Sequence, residues 1–143
     1  MKKLTVSSCE LCNAAGGELL WQNELCRVVL VGDADYRGFC RVILNRHVKE
    51  MTDLDTTTRE RLMRVVYATE QTLRELMQPE KINLASLGNR VAHLHWHVVA
   101  RFADDKHFPG SIWGEARQGN VPRPVDRDAL RRTLHQLLQP VEA

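Results

Sequence analysis

The stretch His93-Leu94-His95-Trp96-His97-Val98-Val99 decides how this chain is read. Half of its six histidines stand within five residues, at every second position, with apolar residues between them. In a β-strand, successive side chains point to opposite faces. A strand here puts three imidazoles on one face, roughly 6.7 Å apart by strand rise, and Leu94, Trp96 and Val98 on the other. Imidazole titrates near neutral pH, so each ring can act as nucleophile, proton donor or metal ligand. The alternative is an idle strand face that happens to be histidine-rich, and six histidines scattered over 143 positions would rarely fall this way. Two chemistries compete for the row: a metal site, and nucleophilic attack on phosphorus. Alternate strand positions can bring two histidines to one metal. A third splays outward unless the strand twists or another element adds ligands.

Outward from this row, the chain reads as one domain over residues 1–143, long enough to bury its own core. Cys26 to Val31 and Phe39 to Leu44 are short β-branched runs, and Asp33 to Gly38 between them reads as a hairpin connection. From about Asp55 to Met77 the apolar spacing turns helical, with Leu62, Val65, Val66, Thr69, Leu73 and Leu76 on one stripe. Asp53 or Asp55 can cap its start, and Pro79 lies just past its end. Ile82 to Leu87 is a further strand closed by Gly88-Asn89, and the histidine strand follows from about Ala92 to Phe102. Residues 103–125 hold three prolines and three glycines and read as a long structured loop. Asp126 then caps a last helix carrying Leu130, Leu134, Leu137 and Leu138, up to Pro140. This order predicts an α+β fold: an antiparallel sheet of about five strands with one long helix and one C-terminal helix packed on one face.

Composition narrows the function. Hydrophobic content of 43% and charged content of 27% fit a soluble globular protein. A net charge of +2 is too balanced for electrostatic capture of nucleic acid. No apolar run approaches the roughly 18 residues of a membrane span. Met1 to Ser8 has two lysines but no apolar core of a signal peptide, so the expectation is a cytoplasmic protein. Cys26 and Cys40 lie inside apolar runs and read as small core residues. His107 reads as a solvated loop residue, His135 as solvent-facing, and Trp21 and Trp113 as core or dimer contacts.

The pattern His-φ-His-φ-His-φ-φ, with φ apolar, resembles the signature of the histidine triad superfamily, and His93 to Val99 fits it at every position. The likeness extends over roughly residues 9 to 105: Gly88-Asn89-Arg90 stands where members carry Gly-Gln-Ser/Thr, Arg101 follows the triad, and Gly38 to His47 with Met51 to Leu54 resembles the strand that leads into the long helix. The resemblance implies a nucleotide phosphohydrolase. His95 would attack the α-phosphorus of a dinucleoside polyphosphate or a nucleoside phosphoramidate, and water would then release the nucleoside monophosphate from the nucleotidyl-histidine. It also implies that His97 is the phosphate-side partner, that the backbone near His93 orients His95, and that Asn89 and Arg90 line the phosphate pocket, with Asn83 near ribose or phosphate. No cofactor is required for that chemistry. A homodimer is implied as well, for which the sequence offers only the helix stripe as interface. The departures are Phe39 in place of a fourth histidine, Leu44-Asn45 in place of Pro-Lys, Ala100 in place of Pro or Gly, and Arg90 in place of Ser/Thr. Phe39 and Arg90 keep a second reading open: a nucleotide-binding regulator with little turnover.

Cys9-Glu10-Leu11-Cys12 is a Cys-x-x-Cys pair, a spacing shared by zinc and redox sites, and no βαβ pattern follows it to support the redox reading. A closed zinc site takes four N/S ligands. Some histidine triad relatives with such a pair resemble this layout, holding structural zinc with the two cysteines, the equivalent of His47 and the first triad histidine. All four positions, Cys9, Cys12, His47 and His93, are filled here. Zinc would claim His93 and leave His95 and His97 facing the nucleotide; without a phosphate site, the same residues would make a purely structural metal protein.

Overall fold

A computed structural model describes residues 6–139. Met1 to Thr5, part of the segment read for a signal, and Pro140, expected to end the last helix, lie outside the described residues. The chain runs α1 (Glu10–Asn13), β1 (Glu18–Gln22), β2 (Cys26–Leu30), β3 (Cys40–Leu44), α2 (Thr56–Met77), β4 (Lys81–Ala85), β5 (His95–Arg101) and α3 (Arg127–Leu137). The strands form one antiparallel sheet in the order β1-β2-β3-β5-β4. The α+β architecture expected from the sequence is the one observed.

The two sheet faces differ because the strand residues alternate. Val28, Val42, Leu44, Val98 and Ile82 point to one side and bury against Leu62, Val65, Val66 and Leu73 of α2 and Leu130 and Leu134 of α3. The α2 stripe from Leu62 to Leu73 is therefore taken up by its own sheet, and Leu76 is left exposed. Asp55, one of two expected caps, accepts from Thr58 N at 2.8 Å, and Gln78 closes the helix in the left-handed region with φ 51°. Gly38 passes close to the end of α2: a Cβ there would stand 2.3 Å from the Met77 sulfur, and that side chain would have to move. Asp126 caps α3 as expected, accepting from Ala129 N at 3.0 Å.

Two elements add to the sequence reading and one boundary departs from it. β1 is an edge strand of mixed exposure that lacks a clean alternation, and it completes the five. The Cys-x-x-Cys pair lies on a one-turn helix whose Leu11 packs on Val29 and Ile43, on the face opposite α2. The histidine strand begins at His95, not near Ala92, because the chain bends at His93.

The loop of residues 103–125 is folded back onto the same face by one carboxylate. Asp105, 3% exposed, accepts from Arg101 Nε at 2.8 Å and Nη2 at 3.1 Å, and from the amides of Phe102, His107 and Phe108 at 3.0, 3.1 and 2.7 Å. The Tyr36 hydroxyl donates to it at 3.2 Å and accepts from His107 Nδ1 at 2.6 Å, so His107 is held rather than solvated. Burial alone would raise the Asp105 pKa, but the hydrogen bonds from Arg101 and the three amides outweigh it and hold the carboxyl well below the usual carboxylate range. Asp105→Ala leaves Arg101 buried without its counter-ion and is expected to cost about 3–5 kcal/mol, read from denaturant midpoints. The pH sign follows from the depressed pKa. The contribution is complete above about pH 4 and is lost as pH falls toward the native value, so Asp105→Asn should flatten the acid limb of the stability curve.

Candidate active site and metal centre

The bend at His93 separates the three histidines. His95 and His97 remain on the strand face, their ring centroids 4.9 Å apart. His93 turns away, fully buried, and both of its ring nitrogens are engaged. Its Nε2 lies 2.6 Å from the Leu44 carbonyl, which can only accept, so Nε2 carries the proton and Nδ1 is a bare lone pair. That lone pair faces Cys9 Sγ at 3.4 Å and Cys12 Sγ at 3.5 Å, and His47 Nδ1 is 3.5 Å from Cys12 Sγ. The His93 ring thus does not join the other two; only its backbone does.

All four ligand atoms of Cys9, Cys12, His47 and His93 lie within 4.8 Å of one another. Donors 2.0–2.3 Å from one ion at tetrahedral angles stand about 3.3–3.8 Å apart, and the Cys9–His93, Cys12–His93 and Cys12–His47 distances fall in that range. The His93 hydrogen bond to Leu44 is the kind of outer contact that fixes a ligating imidazole. The cluster can therefore hold a metal ion. Arg27, missed in the sequence, builds it from outside. Nearly buried on β2, it donates to the carbonyls of Leu11 at 2.7 Å, Ala14 at 3.1 Å and Ala15 at 2.9 Å, and to Asn45 Oδ1 at 3.0 Å. Asn45, a departure from the family pattern, is what receives it. The available signal was a charged residue inside an apolar strand.

His95 is oriented by the same bend. Its Nδ1–H donates to the His93 carbonyl at 2.5 Å, which leaves Nε2 unprotonated in the neutral ring. Burial lowers its pKa, against the pull of that hydrogen bond, and the Arg41 charge adds to the lowering. His97 is buried as well, and burial, then His95 and Arg41, push it down to about 4. Phe39 and Trp113 close around His97 at ring-centroid distances of 5.5 and 4.9 Å. Trp113 is 47% exposed, so it is a wall of the site and not a core residue.

Beside His95 opens a cleft of about 330 Å³, lined by Lys49, Glu50, Ser86, Gly88, Asn89 and the stretch from Ala92 to His95. Gly88, at φ +69°, makes the turn that presents Asn89. Ser86, also missed, donates to the His95 carbonyl at 2.8 Å. The other expected pocket residues are placed differently. Arg90 is exposed and outside the cleft lining. Asn83 lies on the histidine face, but its Oδ1 already accepts from Arg101 Nη1 at 2.6 Å.

The HIT domain model matches residues 15–104 of this sequence. The chain belongs to the HIT family. The match begins just after α1, so Cys9 and Cys12 lie outside it. A histidine triad protein from Bradyrhizobium japonicum is 26% identical, over 93% of this chain and 99% of that one, with a TM-score of 0.74. One from Marinobacter aquaeolei VT8 is 29% identical over 87% and 90% of the two chains, with a TM-score of 0.68. A hypothetical histidine triad nucleotide-binding protein from Sulfolobus tokodaii shares the fold at 16% identity, over 90% and 93%, with a TM-score of 0.64. No curated protein matches the chain. Among the described residues of this HIT protein, no helix is long and apolar enough to cross a membrane.

The low pKa of His97 has a direct readout. In an NMR titration its ring should stay neutral through pH 5 and protonate near 4. The unfolded chain takes up that proton near pH 6.5, so this histidine withdraws stability as pH falls from about 6.5 toward 4. A native titration at 6 or above would contradict the burial argument.

Proposed function

We propose that this HIT protein hydrolyses nucleotide conjugates at the α-phosphate, with His95 as nucleophile. The observation that carries the reading is the 2.5 Å bond from His95 Nδ1 to the His93 carbonyl. It fixes the tautomer whose Nε2 lone pair is free, and burial keeps the ring neutral near pH 7. His95 Nε2 attacks the α-phosphorus while the bond to the leaving oxygen or nitrogen breaks, and the leaving group departs with a proton taken up from the site or solvent. Water then attacks the same phosphorus, the P–N bond to His95 breaks, and the nucleoside monophosphate leaves. The phosphoryl group sits in the cleft beside Asn89, and His97 serves its oxygens as negative charge builds.

The cluster of Cys9, Cys12, His47 and His93 holds structural Zn²⁺ in this reading. Two thiolates and two imidazoles suit zinc and leave no open position for substrate. The ion supplies rigidity, and the residues do the rest: His93, clamped at both nitrogens, keeps its carbonyl aimed at His95. One observation favours a binder with little turnover. Phe39, packed on His97, offers the reacting centre no hydrogen bond where relatives carry a histidine.

Two measurements test these readings. Wild-type protein incubated with adenosine phosphoramidate or a dinucleoside polyphosphate should release AMP and give an acid-stabilised adduct of one nucleotidyl group on His95 by mass spectrometry. His95→Ala should lose at least about a thousandfold in rate while staying folded; full activity in that variant would sink the nucleophile, and binding without adduct would favour the regulator. Elemental analysis of metal-replete protein should give about one zinc per chain, and Cys12→Ser should lose it and melt earlier.

A further inference from the structure

Arg41 differs from the other arginines of the histidine face. Arg27 and Arg101 are 9% and 2% exposed, and each commits its guanidinium to several protein oxygens. Arg41 lies on β3 between them, half-buried. Its fork makes one long bond, Nη1 to the Gly16 carbonyl at 3.3 Å. Its Nε is buried with no acceptor, and among the described residues no carboxylate pairs with it. A guanidinium carries five N–H donors and keeps its charge at any physiological pH. Donors left unmet in a half-buried setting cost free energy that an incoming anion recovers. A purely structural arginine would look like Arg27.

Its position says which anion. Arg41 pairs across the strands with His97, and the next pair on the same face, two residues along, is Ile43 with His95. The cleft of Asn89 opens at the far side of His95, where β5 begins. The cleft meets His95 at the start of β5, and Arg41 stands past His95 on the histidine face, across from His97. A molecule seated in the cleft and reacting at His95 extends next to Arg41. His97, the cross-strand neighbour, also has a buried ring nitrogen without a partner.

We propose that Arg41 grips a second phosphate of the substrate, adjacent to the one that reacts at His95. This rests on the nucleotide reading above and sharpens it: the substrate class is a nucleotide with two or more linked phosphates, in preference to a phosphoramidate with one. A planar fork can bind a phosphate through two parallel N–H bonds, which a lysine at this position could not reproduce.

Binding of ATP and of AMP to the metal-loaded protein, measured by calorimetry, tests this without requiring turnover. Wild type should bind ATP about tenfold or more tightly than AMP, the scale of one charge-assisted contact. Arg41→Leu should bring the two affinities within about twofold, with AMP binding changed less than about threefold. An unchanged ratio, a parallel loss of both nucleotides, or no preference in wild type would each overturn the assignment. If Arg41→Leu does not fold by circular dichroism, Arg41→Lys decides: a reduced ratio supports the bidentate grip and an unchanged one contradicts it. Failure of the hydrolase reading is seen separately, as a missing His95 adduct. A protein that binds neither nucleotide loses both.

Discussion

The bend at His93 is the constraint on which the site depends. A regular strand through residues 93–97 would line up three equivalent imidazoles. Instead the chain turns at His93 and enters β5 at His95. The His93 ring is clamped between the Leu44 carbonyl and two sulfurs, and its own carbonyl takes the proton-bearing nitrogen of His95. One residue thus joins a Cys/His cluster to the tautomer of the proposed nucleophile. The tether runs through backbone and covalent geometry, so a small displacement of His93 is passed directly to His95.

The surrounding fold supports that bend from two sides. The helical layer buries one face of the sheet and gives the strands a fixed register, so Ile43 stands opposite His95 and Arg41 opposite His97. The other face is covered at both ends. Arg27 draws α1 onto it near His93, and Asp105 with Arg101 folds the long loop onto it near His97. Between these covers lies His95, itself buried, with the cleft beside it. Both covers rest on buried arginines with their acceptors met, a costly arrangement to break by removing one partner.

Much of this was legible in the residues. Short β-branched runs and the alternating histidines marked strands, the 3.6-residue stripe marked α2, and Asp126 and one of two candidate aspartates, Asp55, marked the helix starts. The four residues of the metal cluster could be named through the resemblance to histidine triad relatives that join a Cys-x-x-Cys pair to these two histidines, and the fold brings them together. What sequence pattern did not give was whatever depends on pairing between distant segments. β1 lacks alternation and exists because β2 offers it an edge. The departure of His93 from the strand face depends on the Leu44 carbonyl, and the capture of Asn83 depends on Arg101. Trp113 reads as a core or dimer contact and His107 as a solvated residue because nothing local shows that Asp105 pulls their loop across the sheet. Arg27 and Arg41 carried a signal that periodicity overlooks, a charge at a position where the strand pattern expects an apolar side chain.

The central claim is that His93 holds His95 in the form with Nδ1 protonated and Nε2 bare. A long-range proton–nitrogen correlation spectrum of metal-loaded protein at pH 7 reads this directly. The account predicts that His95 shows a protonated Nδ1 and an unprotonated Nε2, and that chelation of the metal blurs it toward a mixture of tautomers. A His95 ring with the proton on Nε2, or one that is cationic at pH 7, would contradict it.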